Sequence, residues 1–217
     1  TEVDSHLALP VISVDRDRMN STELRPFRAA VDAGIRGIMT AHIAVPEFTG
    51  ELPSTLSAAI LTDMLKGDLG FDGLVFTDAM DMAAVDRMFP RGEAAVEAIR
   101  AGADVILMPP DVGVAIEAVV RAVEEGRLSE SRIDASVKKL LALKAEFGLD
   151  EERLVALENV IGTVGIPTHT AVADEVTRRS MTVVRNGRGL LPLLGTRTAR
   201  VFSVSFRPRN DLLSGRY

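Results

Sequence analysis

The first residues of the chain place a carboxylate and an imidazole at a spacing that suits proton transfer. In an extended segment, residues two apart point to the same side, so Asp4 can accept a hydrogen bond from one ring nitrogen of His6. This bond fixes the tautomer of the ring, and the negative charge favours the imidazolium form. A histidine held in this way can donate a proton to a leaving group near neutral pH and then take one back. The alternative for this tripeptide is a polar loop near a chain terminus.

A second carboxylate follows a short apolar segment. Asp78 ends the segment GLVFTD, in which Leu74, Val75 and Phe76 are strongly apolar. Such a segment is typical of a strand buried on both faces of a parallel sheet, and functional side chains collect at the carboxyl ends of these strands. The pattern therefore predicts a carboxylate at the rim of the sheet. The alternative is a helix N-cap, a position that aspartate favours, and Asp81 is a competing carboxylate that we expect to be solvated.

The other histidines have weaker patterns. His42 follows a predicted strand, where it could line a substrate pocket or be a packed residue with a satisfied nitrogen. His169 lies at a predicted helix start, far from the strand ends, and we interpret it as structural. The sequence contains no HExxH motif, no acidic cluster at calcium-loop spacing and no strand-to-helix phosphate loop, so we expect no metal site and no cofactor.

Alternating strand and helix patterns must position these residues. Apolar segments predict strands within residues 34–42, 73–78 and 103–108, and helical patterns between them predict βαβ units with a parallel sheet. We expect Asn20, with Glu23 three residues on, to cap the first helix in a capping box. We expect Ser57 to cap the second, which ends at Gly70. Further helices are predicted at residues 93–100, 112–125, 129–147 and 169–180, and further strands at residues 181–186 and 200–206.

Composition narrows the classes of function. The chain has 217 residues, 47% hydrophobic and 26% charged, as in a folded soluble protein. A net charge of −6 argues against nucleic acid as a partner, because binding phosphates needs a basic face. No apolar segment is long enough to predict a membrane span. The absence of cysteine excludes thiol catalysis, disulfides and cysteine-ligated zinc, but leaves the compartment open.

The chain is predicted to be an α/β protein with parts of two domains. A closed (β/α)8 barrel takes about 250 residues, so the strands before Pro109 represent either the last part of a barrel or a small open sheet. The predicted organisation is a barrel part at residues 1–148, a linker with helix at 149–179, and the start of a second α/β domain at 180–217.

Five segments together resemble glycoside hydrolase family 3. They are TEVDSHLALPVI, LRPFRAAVDAGIRGIMTAHI, PSTLSAAILTDMLKGDLGFDGLVFTDAMDM, AVEAIRAGADVILMP and RRSMTVVRNGRGLLPL. The first four resemble the second half of that family's catalytic TIM-type barrel, and the fifth resembles the entry into its C-terminal α/β sandwich domain. The DSH stretch is similar specifically to the β-N-acetylglucosaminidase (β-hexosaminidase) branch.

The resemblance implies a function and a set of catalytic residues. Asp78 would be the nucleophile of a retaining glycosidase, His6 the acid/base and Asp4 its partner in a dyad, with release of terminal β-linked N-acetylglucosamine through a covalent glycosyl-enzyme. The substrate would be an N-acetylglucosamine-containing oligosaccharide, from peptidoglycan during cell wall recycling or from chitin. A common form of the family has a second acid directly after the nucleophile, where this chain has Ala79.

Two alternatives and two open properties remain. The same site could serve a phosphorylase, with phosphate replacing water in the second step. The chain could also be a fragment that is inactive without a missing N-terminal part of the same protein, because the family's Lys-His-Phe-x-Gly-His-Gly stretch does not precede DSH here. The sequence favours neither cytoplasmic nor extracytoplasmic localisation, and the oligomeric state is open.

Overall fold

The computed structural model describes residues 8–90, 92–187 and 189. The chain divides into two compact units, Thr1–Arg153 and Leu154–Tyr217. Within the described residues, no helix is both long enough and apolar enough to cross a membrane.

The first unit is built on a parallel sheet. Among the described residues it has three strands in the order β1 (Gly37–Met39), β2 (Leu74–Ala79) and β3 (Val105–Leu107). Both neighbouring pairs are parallel. The predicted strands and their direction are confirmed. The segments at residues 34–42 and 103–108 contribute shorter strands than their apolar extent indicated, although Arg36, Thr40 and Asp104, directly beside the paired residues, still make backbone hydrogen bonds to β2.

Helices connect and cover the strands, as the alternating pattern predicts. The described part of the first unit contains α-helices and also two π-type helices, at Met19–Glu23 and Ala59–Asp68. A 3₁₀ turn spans Ser54–Leu56. The α-helices are α1 (Arg16–Arg18), α2 (Arg25–Asp32), α3 (Pro46–Thr49), α4 (Ala83–Asp86), α5 (Glu93–Ala101), α6 (Val112–Glu124) and α7 (Glu130–Glu146).

Two of the predicted helix caps are wrong. Asp15, rather than Asn20, caps the first helix, and its Oδ1 accepts from the backbone N–H of Arg18 at 2.7 Å. Asn20 lies inside the helical segment and donates to the carbonyl of Arg16 at 3.0 Å. Ser57 starts the second helix through its backbone carbonyl, which accepts from the Leu61 N–H at 2.9 Å, and not through its hydroxyl. The cap is set by where the chain enters the helix, and several nearby polar residues compete for that position.

The hydrophobic core surrounds the central strand β2. Val75 is fully buried and Leu74 is 2% exposed, which confirms a strand covered on both faces. Side chains from the helix at Ala59–Asp68 and from α5 pack against β2, including Leu61, Leu65 and Ala98. The core therefore holds β2 rigidly, so that groups at its carboxyl end are well positioned.

A buried charge cluster joins the amino-terminal edge of the sheet to its helices. The Asp104 carboxylate, only 2% exposed, accepts from the Val75 N–H at 3.1 Å and from the Ser136 hydroxyl at 2.6 Å. Lys66 Nζ and Arg132 Nη1 lie 3.7 and 3.4 Å from its oxygens. Burial alone would raise the pKa of Asp104, but these hydrogen bonds and positive charges outweigh it and lower the pKa below its usual range.

The second unit is described only in its first part. It contains α8 (Leu157–Thr163) and α9 (Pro167–Ser180). Residues 181–186 do not form the predicted strand. A strand needs a partner for its backbone hydrogen bonds, and the predicted strand at residues 200–206 lies outside the described residues. The start of a second α/β domain at residues 180–217 stays a prediction.

Candidate active site

Asp78 lies at the carboxyl end of the central strand, where the apolar pattern placed it. Its side chain is partly exposed, and its Oδ1 accepts from the backbone N–H of Ala79 at 2.8 Å. The structure does not use Asp78 as a helix N-cap: β2 continues to Ala79, and α4 begins at Ala83 with Met82 in the cap position. Asp81 is exposed, as expected. Asp78 is therefore a carboxylate at the rim of a buried strand.

The strand is irregular at Asp78. Phe76 pairs with Val105 and Ala79 pairs with Leu107, so β2 advances three residues while β3 advances two. The backbone N–H of Leu107 donates to the side-chain oxygen of Thr77 at 2.9 Å. A hydroxyl thus replaces the carbonyl that a regular ladder would offer to this N–H. Thr77 was not among the residues that the sequence singled out.

His42 is a packed residue, and the expectation that it lines a substrate pocket is not met. The ring is fully buried. Its Nε2 lies 2.9 Å from the carbonyl oxygen of Ala79 and its Nδ1 lies 2.9 Å from the hydroxyl of Thr55. Both ring nitrogens are bonded within the described protein, so neither can bind a sugar hydroxyl. The ring is therefore surrounded by protein groups and does not face solvent.

The electrostatics of His42 favour a neutral ring. Burial lowers the pKa of the ring below its usual range, while the hydrogen bond to Ala79 and the negative charge of Asp78 oppose that shift. The hydroxyl of Thr55 also lies 2.8 Å from that of Thr40, at the end of β1. These threonines had no sequence signal of their own, because their roles arise from contacts between segments distant in the chain.

Asp4 and His6 lie outside the residues that the structure describes. His169 is exposed on α9, in the second unit. Within residues 8–90, 92–187 and 189 there is no group of three or more histidine, aspartate and glutamate side chains that could hold a metal ion.

Comparison with known proteins identifies the class. The sequence model described as "Glycosyl hydrolase family 3 N terminal domain" matches residues 1–143. The chain therefore belongs to glycoside hydrolase family 3, and its parallel sheet and helices are part of the TIM-type barrel of that family. The resemblance seen in the sequence is confirmed.

Particular relatives carry more specific names. The chain is 30% identical over 210 residues to a "Beta-N-acetylglucosaminidase/beta-glucosidase" of Cellulomonas fimi, a match that covers 92% of this chain and 37% of that protein. Among solved structures, it is similar to a family 3 β-N-acetylglucosaminidase from Paenibacillus sp. str. FPU-7, with a TM-score of 0.74 and 39% identity over 84% of this chain and 35% of that one.

A solved structure with another name is also similar. "Beta-glucoside phosphorylase BglX" matches with a TM-score of 0.78 and 28% identity, over 87% of this chain and 36% of that one. The chain thus spans little more than a third of the length of the proteins compared here. The fold around Asp78 is shared by proteins named for hydrolysis and for phosphorolysis.

Proposed function

We propose that this chain carries the nucleophile of a retaining glycoside hydrolase that releases terminal β-linked N-acetylglucosamine. The observation that carries the proposal is the position of Asp78. It is a partly exposed carboxylate at the carboxyl end of the central barrel strand, with one oxygen held by the Ala79 N–H. Functional groups of barrel enzymes lie at this edge. The names of the relatives favour N-acetylglucosamine as the sugar.

The reaction proceeds in two displacements. In the first, an oxygen of the Asp78 carboxylate attacks the anomeric carbon, the glycosidic bond breaks, and the His6 imidazolium donates its proton to the leaving oxygen. In the second, the neutral ring of His6 takes a proton from water, the water oxygen attacks the anomeric carbon, and the bond to Asp78 breaks. The configuration at the anomeric carbon is retained, and Asp78 and His6 return to their initial states.

Asp4 and His6 are proposed for proton transfer on the strength of the sequence. Their two-residue spacing allows the carboxylate to hold the ring, and the DSH stretch resembles the β-N-acetylglucosaminidase branch. A dyad of this kind keeps the imidazolium populated near neutral pH. We also propose oligosaccharides of peptidoglycan or chitin as the source of the sugar.

Further barrel segments belong to the proposed enzyme. The chain spans 37% of the length of the Cellulomonas fimi relative. We propose that the N-terminal part of the same protein supplies other walls of the sugar pocket, and that the chain alone has little activity. Adding back that part should raise hydrolysis of an aryl β-N-acetylglucosaminide above the level of either part alone.

A pair of matched aspartate variants tests the nucleophile. With the N-terminal part of the protein present, Asp78→Ala should reduce hydrolysis of an aryl β-N-acetylglucosaminide by at least about 10³-fold, because the covalent step loses its attacking oxygen. Asp81→Ala, three residues away and exposed, should retain the rate within about twofold. An activated 2-deoxy-2-fluoro glycoside should label Asp78 in the peptide map. Labelling of Asp81, or near-normal activity of Asp78→Ala, would contradict the assignment.

Phosphorolysis is the second candidate, and the similarity to the β-glucoside phosphorylase favours it specifically. In this reaction, phosphate attacks the glycosyl-enzyme in place of water. A histidine acid/base allows an anionic acceptor to approach without facing a second carboxylate. Turnover with and without inorganic phosphate separates the two reactions, because only phosphorolysis yields a sugar 1-phosphate and needs phosphate for turnover.

A further inference from the structure

The bulge in β2 is centred on the residues just before Ala79. Between Phe76 and Ala79 the strand contains one residue more than the matching part of β3. An extra residue bends a strand and changes the direction in which its side chains point, and bulges occur often beside active sites. The residue pair in the bulge is Thr77 and Asp78, so this irregularity determines how the carboxylate is presented.

A buried hydroxyl closes the bulge on the β3 side. Thr77 is fully buried, and its Oγ1 accepts the hydrogen bond of the Leu107 N–H at 2.9 Å. The next carbonyl of β3 is also used, because the Met80 N–H donates to the Leu107 oxygen at 2.9 Å. Without the Thr77 hydroxyl, the bulge would leave the backbone N–H of Leu107, which is partly buried, without this acceptor, and an unpaired N–H removed from water is costly.

A buried imidazole holds the other side of Asp78. The carbonyl of Ala79 can only accept a hydrogen bond, so His42 Nε2 carries the proton at that contact. In the neutral ring, Nδ1 then accepts from the Thr55 hydroxyl, and Thr55 in turn accepts from the Thr40 hydroxyl. Each hydrogen in this network of hydrogen bonds therefore has a single assignment. The network ends at the carbonyl of Ala79, the residue that follows Asp78.

We propose that Thr77 and His42 are positioning residues that hold the bulge from its two sides and thereby orient the Asp78 carboxylate. The proposal rests on the proposed role of Asp78 as nucleophile. Attack on the anomeric carbon tolerates little displacement, and a shift of about 1 Å at a reacting group can reduce a rate about 100-fold. Neither positioning residue contacts the sugar in this scheme. Both act on the backbone next to the attacking group.

The variants Thr77→Val and Thr77→Ser test whether the Thr77 hydroxyl holds the bulge. Valine has nearly the shape of threonine but no hydroxyl, whereas serine retains it. In Thr77→Val we expect the amides of Leu107 and Ala79 to exchange at least about tenfold faster with deuterium, because the first loses its acceptor and the second loses a fixed Asp78 oxygen. The Leu74 amide, bonded to the Arg36 carbonyl at 3.0 Å, is the internal reference.

Kinetics measure the consequence for Asp78. In Thr77→Val, kcat should fall between about 10- and 100-fold while KM changes less than about twofold, and Thr77→Ser should restore most of the lost rate. Unchanged exchange at Leu107 in Thr77→Val overturns the proposal. Faster exchange with an unchanged kcat overturns the positioning role. These rates are measured with the N-terminal part of the protein present. If the wild-type protein has no glycosidase activity in its presence, the proposed function fails, and exchange at Ala79 still decides whether Thr77 orients Asp78.

A measurement on the wild-type protein covers the case in which Thr77→Val does not fold. Nitrogen-15 NMR of the imidazoles at pH 8 should assign His42 to the Nε2–H tautomer, because the Ala79 carbonyl can only accept. A His42 ring in the Nδ1–H tautomer overturns the proposal.

Discussion

The ring of His42 and the carbonyl oxygen of Ala79 are joined by a hydrogen bond of 2.9 Å, although the two residues are 37 positions apart in the chain. Ala79 follows the candidate nucleophile directly, so this bond connects the loop after β1 to the carboxyl end of β2. Loss of the bond should therefore affect both the stability of the sheet and the presentation of Asp78.

Replacement of His42 by glutamine tests the contribution of this bond to stability. The shorter amide cannot reach both Ala79 and Thr55, so we expect the free energy of unfolding to fall by about 1–3 kcal/mol. The control is His169→Gln on the exposed surface of α9, which should change it by less than about 0.5 kcal/mol. Urea denaturation measures both, and equal effects of the two variants would contradict the structural role of His42.

The burial of His42 also predicts a dependence of stability on pH. Its pKa is lowered from 6.5 in the folded protein, so below about pH 6.5 the unfolded chain binds more protons at this residue than the folded chain. The stability that the neutral ring contributes is therefore present above pH 6.5 and is lost as the pH falls through the folded pKa.

Comparison of the wild-type protein with His42→Gln isolates this effect. The difference in their free energies of unfolding should shrink between about pH 7.5 and pH 5, since only the wild type carries the titrating ring. Asp78, the charged group that faces the ring, is present in both proteins. A difference that stays constant over this range would show that His42 has no lowered pKa.

The Asp104 cluster should be among the strongest polar contributions to the first unit. Asp104→Asn leaves Lys66 and Arg132 without the buried carboxylate near them, and we expect a loss of about 3 kcal/mol in the free energy of unfolding. The matched control is Arg36→Gln, which removes the exposed pair with Glu146 and should cost less than about 1 kcal/mol. Comparable losses would argue against the burial of the cluster.

The Asp104 cluster also makes stability depend on pH, but here the stabilising form of the group is the charged one, whereas for His42 it is the neutral one. The pKa of Asp104 is lowered from 3.8, so its contribution is present above that pH and is lost as the pH falls through the folded pKa. Acid denaturation of wild type and Asp104→Asn should therefore converge below about pH 3.8. A gap that persists at lower pH would mean that Asp104 does not act through its charge.

Two glycines with positive φ provide a test of the packing between α5 and its neighbours. Gly102, at φ 128°, ends α5, and a Cβ atom there would lie 2.8 Å from Thr62 Oγ1 and 3.2 Å from Leu61 Cβ. Gly126, at φ 73°, has open space around the same position. We expect Gly126→Ala to lower the free energy of unfolding by about 1 kcal/mol, because the alanine would be strained in the left-handed backbone conformation.

Gly102→Ala adds a collision to that strain, so its cost should exceed that of Gly126→Ala by at least about 1 kcal/mol. Differential scanning calorimetry measures both variants. Equal costs would mean that the helix at Ala59–Asp68 packs less closely on α5 than the structure describes.

The local sequence pattern predicted much of the barrel part. Continuous apolar segments identified the three described strands, and the central one, β2, is covered on both faces as that pattern requires. The helix end at Gly70 followed from the ease with which glycine adopts positive φ. The position of Asp78 at a strand end required only that the apolar segment before it be buried.

Other features were decided by tertiary structure, because they depend on contacts between distant segments. The bulge at Thr77 exists only in the register between β2 and β3, and the burial of His42 depends on Thr55 and on the end of β2. The sequence pattern did not single out Asp104, because its partners Ser136 and Arg132 come from α7, about 30 residues further along the chain. Sequence thus determined which segments are buried and where a carboxylate stands, while packing determined which polar groups hold one another, since a hydrogen bond needs both partners in place.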